Sequence, residues 1–269
     1  MNEETDKQRL TDLLNADEKT LAENMLEPET MAAAFDETRK ILRGDGGKPQ
    51  LLKIVENAIS IAAGLWQDLQ SESPVAECHK GCSWCCRQLV AVSAPEAIYA
   101  ARFIRATFDQ AEIQALRKHL ADHVAAAGLS SGERVDRNMP CPFLEDDVCS
   151  IYDARPIQCR GVHSESEAFC RHLLDERTEV EAQLEAGTLN NPFLLIPLVL
   201  HNSVQVGMAG ALGHAGNKTE LLDLAASTLI ALGNADIAKS WLDGKPVFKA
   251  ARLQHTEGGA YATNSKPVA

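Results

Sequence analysis

The sequence has no surplus of basic residues. Its 26 Lys and Arg residues are outnumbered by 38 Asp and Glu residues, and the formal net charge is −12. Because non-specific binding to phosphate backbones is driven mainly by clustered Lys and Arg, nucleic acid is not expected as a partner. No GxxxxGK[ST] or GxGxxG pattern opens a helix after a strand, so nucleotide and dinucleotide binding are not indicated either.

A secretory signal and an uninterrupted apolar span are also lacking. The first residues are acidic and carry neither a basic start nor an apolar run, so we expect a cytoplasmic protein whose thiols stay reduced or bind metal. The most apolar stretch, residues 192–212, approaches the length of a membrane span but carries Pro197, His201 and Gln205 near its centre. It is predicted to be a buried helix without membrane contact.

Strands do not alternate with helices along the chain, and no internal repeat is found. The sequence predicts a mostly α-helical fold, in which N- and C-terminal helices wrap an irregular, cysteine-rich, metal-binding core of loops. We divide it into an N-terminal helical segment (residues 1–70), a cysteine-cluster metal-binding core (71–186), a C-terminal helical segment that packs on the core (187–253) and a disordered tail (254–269).

Local patterns predict individual elements. Ser93-Ala94-Pro95-Glu96 is typical of a helix start, with an N-cap residue and a proline in the first turn. Asp146-Asp147 predicts a small hairpin. Helical spacing predicts one helix over residues 164–186 and another over 218–232. The series Gly207-x-x-Gly210-x-x-Gly213 in the apolar helix indicates close packing against a neighbouring helix.

Cysteine is absent outside residues 78–170, and we therefore expect the thiols inside this range to serve one assembled site. The candidate metal ligands are Cys78, Cys82, Cys85, Cys86, Cys141, Cys149, Cys159 and Cys170. Thiolate is a soft, strong ligand for zinc and for iron–sulfur clusters. Cys82 and Cys85 form a C-x-x-C motif, and Cys78 lies one helical turn before Cys82. Adjacent side chains usually point apart, so Cys86 is expected to serve a second centre or none.

The order of these residues carries a resemblance to a known family. The relevant stretches are Cys78-x3-Cys82-x2-Cys85-Cys86, then Cys141-Pro142-Phe143-Leu144, then Cys149-Ser150-Ile151-Tyr152-x-x-Arg155-Pro156-x-x-Cys159-Arg160. They resemble the YkgJ family of cysteine-cluster proteins, whose CxxCxxCC domain is described as zinc- or iron-chelating. The resemblance covers roughly residues 78–170. It implies a metal ion as the partner, held by the family's cysteines, and implies little about a reaction.

Arg87, Arg155 and Arg160 lie beside these cysteines, and two interpretations of them stay open. Their charges could favour thiolate over thiol and offset the negative charge of a metal centre with four thiolates. Alternatively, they could form ion pairs that hold the loops, with partners drawn from Glu145, Asp146, Asp147 and Asp153.

Several functions are compatible with eight thiols. An iron or iron–sulfur site would suit electron transfer, redox sensing or an unidentified reaction. A structural zinc module acting in protein interaction would hold the loops together without any chemistry. Cys78-x3-Cys82-x-Trp84-Cys85 also resembles the cluster motif of radical S-adenosylmethionine enzymes, and flagellin lysine methylases carry related cysteine clusters, so a methylase-like enzyme is a lesser alternative. The spacings allow two four-cysteine sites or one polynuclear site.

Overall fold

The structure, a computed structural model, describes residues 26–44, 49–126, 137–255 and 261–263. Helices dominate this part of the chain, and its strands are only two or three residues long. The predicted mostly α-helical fold is thereby confirmed. The first 25 residues of the predicted N-terminal helical segment lie outside the described residues, and the division into four segments stays a prediction.

Helices and strands are numbered here along the described chain. The helices are α1 (Pro28–Arg43), α2 (Pro49–Leu69), α3 (Ala94–Thr107), α4 (Gln110–Ala126), α5 (Ile157–Gly161), α6 (Glu167–Asp175), α7 (Arg177–Glu185), α8 (Leu195–His214), α9 (Leu224–Gly233) and α10 (Ile237–Leu242). The strands are β1 (Ala91–Val92), β2 (Leu144–Glu145), β3 (Val148–Cys149), β4 (Leu222–Asp223), β5 (Leu253–His255) and β6 (Tyr261–Thr263). Short 3₁₀ turns cover Gln70–Glu72, Tyr152–Ala154 and Lys249–Ala251.

The strands form three antiparallel pairs among the described residues. Strand β1 pairs with β4, so that Ala91 lies opposite Asp223, and β2 pairs with β3 as a local hairpin. Strand β5 pairs with β6. These last two strands lie where a disordered tail was predicted from residue 254, and the rest of that tail lies outside the described residues.

Helix α8 packs against α1, α2 and α5 and connects the two N-terminal helices to the cysteine-bearing α5. By length and composition alone it could cross a membrane, with a hydropathy of 1.4 over its most apolar window. Its contacts with three helices and its fully buried Leu200, Val204 and Met208 are typical of a core helix. Gly207 lets α1 approach closely, because a Cβ there would overlap the Met31 carbonyl and press on Ala34.

The start of α3 holds α5 in place. Ser93 caps α3 in a capping box with Glu96, as the local pattern predicted for the cap residue. The buried Glu96 carboxylate also accepts hydrogen bonds from the Ile157 amide at 3.0 Å and from Gln205 Nε2 at 3.1 Å. One carboxylate therefore connects α3, α5 and α8, and it determines where α5 begins.

Two predicted helices differ from those observed. The range predicted as one helix, residues 164–186, contains two helices, α6 and α7. They are separated at Glu176, whose φ of −130° and ψ of 45° are not helical. The helix predicted from residue 218 begins only at Leu224, because Leu222 and Asp223 pair with β1 as strand β4. Asp223 then caps α9 by accepting a hydrogen bond from the Ala226 amide at 2.8 Å.

Candidate metal centre

Five different segments bring the cysteines together. The first four thiols lie in the loop between α2 and β1, which we call the knuckle (residues 78–86). Cys141 lies in the loop before β2, and Cys149 ends β3. Cys159 lies on α5 and Cys170 on α6. All eight are free thiols, and Cys78 is the exposed one among them.

A cavity of about 240 Å³ lies between these segments. Seven of the eight cysteines line it: Cys78, Cys82, Cys85, Cys86, Cys141, Cys149 and Cys159. By a comparable measure a water molecule needs only roughly 10–15 Å³. The cavity therefore has room for considerably more than one ion. Apolar side chains, including the buried Phe143 and Ile151, complete its wall.

Cys170 lies on the far side of the knuckle. It lines a smaller pocket of about 40 Å³ together with Trp84 and Cys85. Cys85 lines both cavities, and Cys170 interacts electrostatically with Cys85 and Cys78 of the main group.

Hydrogen bonds hold the knuckle against the hairpin. Its turns close through the amide of Cys82, which donates to the His79 carbonyl at 3.0 Å, and that of Cys86, which donates to the Ser83 carbonyl at 2.9 Å. The Cys141 amide donates to the Cys86 carbonyl at 2.7 Å. Ser83 Oγ donates to the Asp147 carboxylate at 2.6 Å. These bonds bring two separate cysteine-bearing loops to one side of the cavity.

The predicted hairpin is present and aligns Cys149. Asp146 and Asp147 both have positive φ, of 49° and 61°. Two positive φ values in a two-residue loop are characteristic of a type I′ turn, which suits the right-handed twist of paired strands. The amide and hydroxyl of Ser150 then donate to the Phe143 carbonyl at 2.7 and 3.0 Å. Cys149 consequently faces the cavity opposite Leu144.

A second set of contacts attaches α6 to the knuckle. The Ser164 amide donates to Cys78 Sγ at 3.3 Å. Glu167 accepts a hydrogen bond from Trp84 Nε1 at 3.1 Å, and the Arg171 guanidinium lies 4.8 Å from the centre of the Trp84 ring. Ser164 and Glu167 are not among the site residues expected from the sequence. An acidic residue such as Glu167 in the first turn of a helix is already explained by the helix dipole.

Most of the thiols are protonated at neutral pH. Burial is the main cause of a raised pKa for one set of thiols: Cys82, Cys141, Cys149, Cys159 and Cys170. For Cys141 the pKa rises to about 12. A hydrogen bond with Cys86 is the largest cause of the raised pKa of Cys85, and burial adds to it. A metal must therefore displace protons to bind here.

Among the described residues, the arginines beside the thiols form no ion pair with the acidic residues that one of the two interpretations considered. Arg160 donates instead to the backbone carbonyls of Arg155 and Asp153, at 3.0 and 2.6 Å. Arg87 donates to the Asn138 carbonyl at 3.1 Å. The charge of Arg155 lowers the pKa of Cys149, although burial raises it by more. Of the two interpretations from the sequence, the described contacts favour the electrostatic one.

The thiols surround a space and do not yet converge on a point. Within the described residues, no three Cys, His, Asp or Glu side chains have the arrangement of a ready metal site. Seven cysteines nevertheless share one cavity, and Cys170 interacts electrostatically with two of them, Cys78 and Cys85. The individual ligand assignments therefore stay predictions.

Comparison with known proteins adds one finding. Residues 77–181 match a protein family described as "CxxCxxCC: Putative zinc- or iron-chelating domain". The matched range contains all eight cysteines and confirms the resemblance drawn from their order. The description supports the binding of zinc or iron. No curated protein and no solved structure matches the chain.

Proposed function

Since residues 77–181 of this chain are a CxxCxxCC-family domain, we propose that the protein holds zinc or iron through its clustered thiolates. The observation that carries this proposal is the single cavity lined by seven of the eight cysteines. Soft thiolate ligands suit both zinc and iron–sulfur clusters. The eight free thiols require a reducing compartment, so a cytoplasmic location is part of the proposal.

The donor set supports two metal groups. Cys82 and Cys170 both interact electrostatically with Cys78 and Cys85. We call these four residues the knuckle group: Cys78, Cys82, Cys85 and Cys170. Four thiols are the number of ligands that a structural zinc site or an iron–sulfur cluster uses.

The remaining thiols form the hairpin group: Cys86, Cys141, Cys149 and Cys159. Cys159 interacts electrostatically with Cys141 and Cys149. The backbone bond between Cys141 and Cys86 brings Cys86 to the same side of the cavity. Cys85 contacts Cys86 through a hydrogen bond and also interacts electrostatically with Cys141 and Cys159, so the two groups adjoin at this pair of residues.

The identity of the metal determines what the groups do. Zinc would supply folding free energy by joining the knuckle, the hairpin and α6, which suits a structural module for protein interaction, whereas iron with sulfide would supply an electron-transfer site. We favour iron–sulfur, because seven thiols around about 240 Å³ exceed what one zinc ion uses. The proposal includes no reaction and no substrate.

The test is the metal content of variants that each remove one thiol. Untagged protein is purified without oxygen and analysed for zinc, iron and acid-labile sulfide. We expect Cys82→Ser and Cys159→Ser each to lose roughly half of the bound metal, since each removes one of four ligands from one group. Ser60→Ala, at an exposed serine on α2 outside both groups, is the control and should keep all of it.

Three results would decide the matter. Unchanged metal in both cysteine variants would contradict the thiolate centre altogether. Complete loss in each variant would contradict the division into two groups and indicate one inseparable centre. Stoichiometric zinc without sulfide would contradict the preference for iron and support the structural module.

A further inference from the structure

Arg155 occupies an unusual place in the wall of the main cavity. Its guanidinium lies 4.2 Å from the centre of the Tyr152 ring, and the residue lines the cavity beside the thiols. Its Nε is buried and has no hydrogen-bond partner among the described residues. No carboxylate in the described part of the chain forms an ion pair with it either.

Such an arrangement is costly in the metal-free protein. A half-buried charge loses hydration, and a buried donor without a partner is destabilising. The stack on Tyr152 offsets only part of this loss. The acidic residue of the cavity wall, Asp147, already accepts a hydrogen bond from Ser83. Arg155 is therefore a cation whose natural partner must come from the cavity itself.

The thiols supply that partner once they bind metal. Four thiolates around a divalent cation carry a surplus of negative charge, which a nearby cation stabilises. Arg155 interacts electrostatically with Cys85, Cys149 and Cys159, which span both proposed groups. Arg160 also reaches Cys149, but its own guanidinium is held by two backbone carbonyls.

We propose that Arg155 is the counter-charge of the metal-loaded thiolate centre, stabilising the loaded state at the expense of the empty one. This inference rests on the proposed metal-binding function. Arg155 therefore raises the affinity for the metal and lowers the stability of the metal-free protein. A purely structural arginine would support both states alike.

The experiment compares zinc affinity with metal-free stability. Zinc affinity is measured by competition with a chromophoric chelator, and stability is measured by thermal unfolding of the chelator-treated full chain. We expect Arg155→Gln to weaken zinc binding by roughly tenfold to hundredfold, the usual effect of losing an outer partner of a metal site. The midpoint of unfolding of the metal-free variant should stay unchanged or rise.

Two further variants separate charge from packing. Arg155→Lys keeps the positive charge without the planar stack, so it should recover most of the zinc affinity. Arg117→Gln is the matched control, because Arg117 on α4 also has a buried Nε without a partner among the described residues, but lies outside both thiol-lined cavities. Its zinc affinity should equal that of the wild type.

The outcomes are distinguishable from failure of the proposed function. A wild-type protein that binds neither zinc nor iron would contradict that function, and the inference would fall with it. Normal wild-type binding with equal affinity in Arg155→Gln would overturn the inference alone. A parallel loss of affinity and of metal-free stability would also overturn it, since Arg155 would then act through packing.

Discussion

His201 should make the fold less stable as the pH falls below neutrality. Its side chain is 2 % exposed in the middle of α8, where its Cβ and Cγ occupy the space that a Cβ at Gly161 of α5 would need. Nδ1 lies 2.6 Å from the Pro197 carbonyl, which can only accept, so the neutral ring carries its proton on Nδ1. Burial lowers the pKa of His201 from 6.5 to about 4.

The magnitude follows from linkage. Between pH 6.5 and about pH 4 the unfolded chain binds a proton at His201 and the folded chain does not. The contribution of His201 to the free energy of unfolding therefore has its full value above pH 6.5. It decreases as the pH falls toward 4 and does not change further below that. Each pKa unit corresponds to about 1.4 kcal/mol, so the total is about 3 kcal/mol.

The assay is chemical denaturation of the metal-free chain at several pH values across this window. His201→Gln keeps a side-chain amide donor but cannot titrate there. Other groups titrate in both proteins, so the informative quantity is the difference between the two stability curves. We expect this difference to change by about 1.4 kcal/mol per pH unit within the window. Parallel curves would refute the assignment of His201 as a buried neutral histidine.

Three other predictions follow from the packing and from the thiols. Gly207→Ala should lower the free energy of unfolding by about 1–3 kcal/mol, because its Cβ would overlap the Met31 carbonyl. Gly210→Ala should lower it much less in the same denaturation assay, because the added Cβ would lie 3.4 Å from its nearest neighbour. Glu96→Ala should lower the free energy of unfolding by at least about 3 kcal/mol, since several buried donors lose their acceptor at roughly 1–3 kcal/mol each. A loss below about 1 kcal/mol would contradict the role of Glu96 in holding α5. Zinc binding at neutral pH should release close to one proton per thiolate ligand, because burial keeps the thiols protonated; calorimetry in buffers of different ionisation enthalpy measures this, and buffer-independent heats would contradict it.

Local chemistry explains which parts of the fold could be predicted. The start of α3 depends on Ser93 and its neighbours, and the turn at Asp146-Asp147 depends on two residues that tolerate positive φ. The pairing of β1 with β4 depends on residues far apart in the chain, so a helical pattern from residue 218 gave the wrong start for α9. The break at Glu176 carries no Gly or Pro, and apolar spacing continues across it.

The site was predictable as a set of thiols but not as an arrangement. Eight cysteines confined to residues 78–170 indicate one assembled site without any knowledge of the fold. Spacing could not show that Cys85 lines two cavities, since this depends on where α6 packs. Nor could it decide the partners of Arg155, because a guanidinium beside several acidic residues in sequence can still face the thiols in space.

X-ray absorption at the zinc or iron edge of the protein as purified without oxygen is the most direct test of a metal held by thiolates. We expect a nearest shell made mainly of sulfur, at about 2.3 Å from the metal. This shell should weaken in Cys82→Ser and in Cys159→Ser but remain intact in Ser60→Ala. A shell made only of nitrogen and oxygen, at about 2.0–2.2 Å, would contradict a centre held by thiolates.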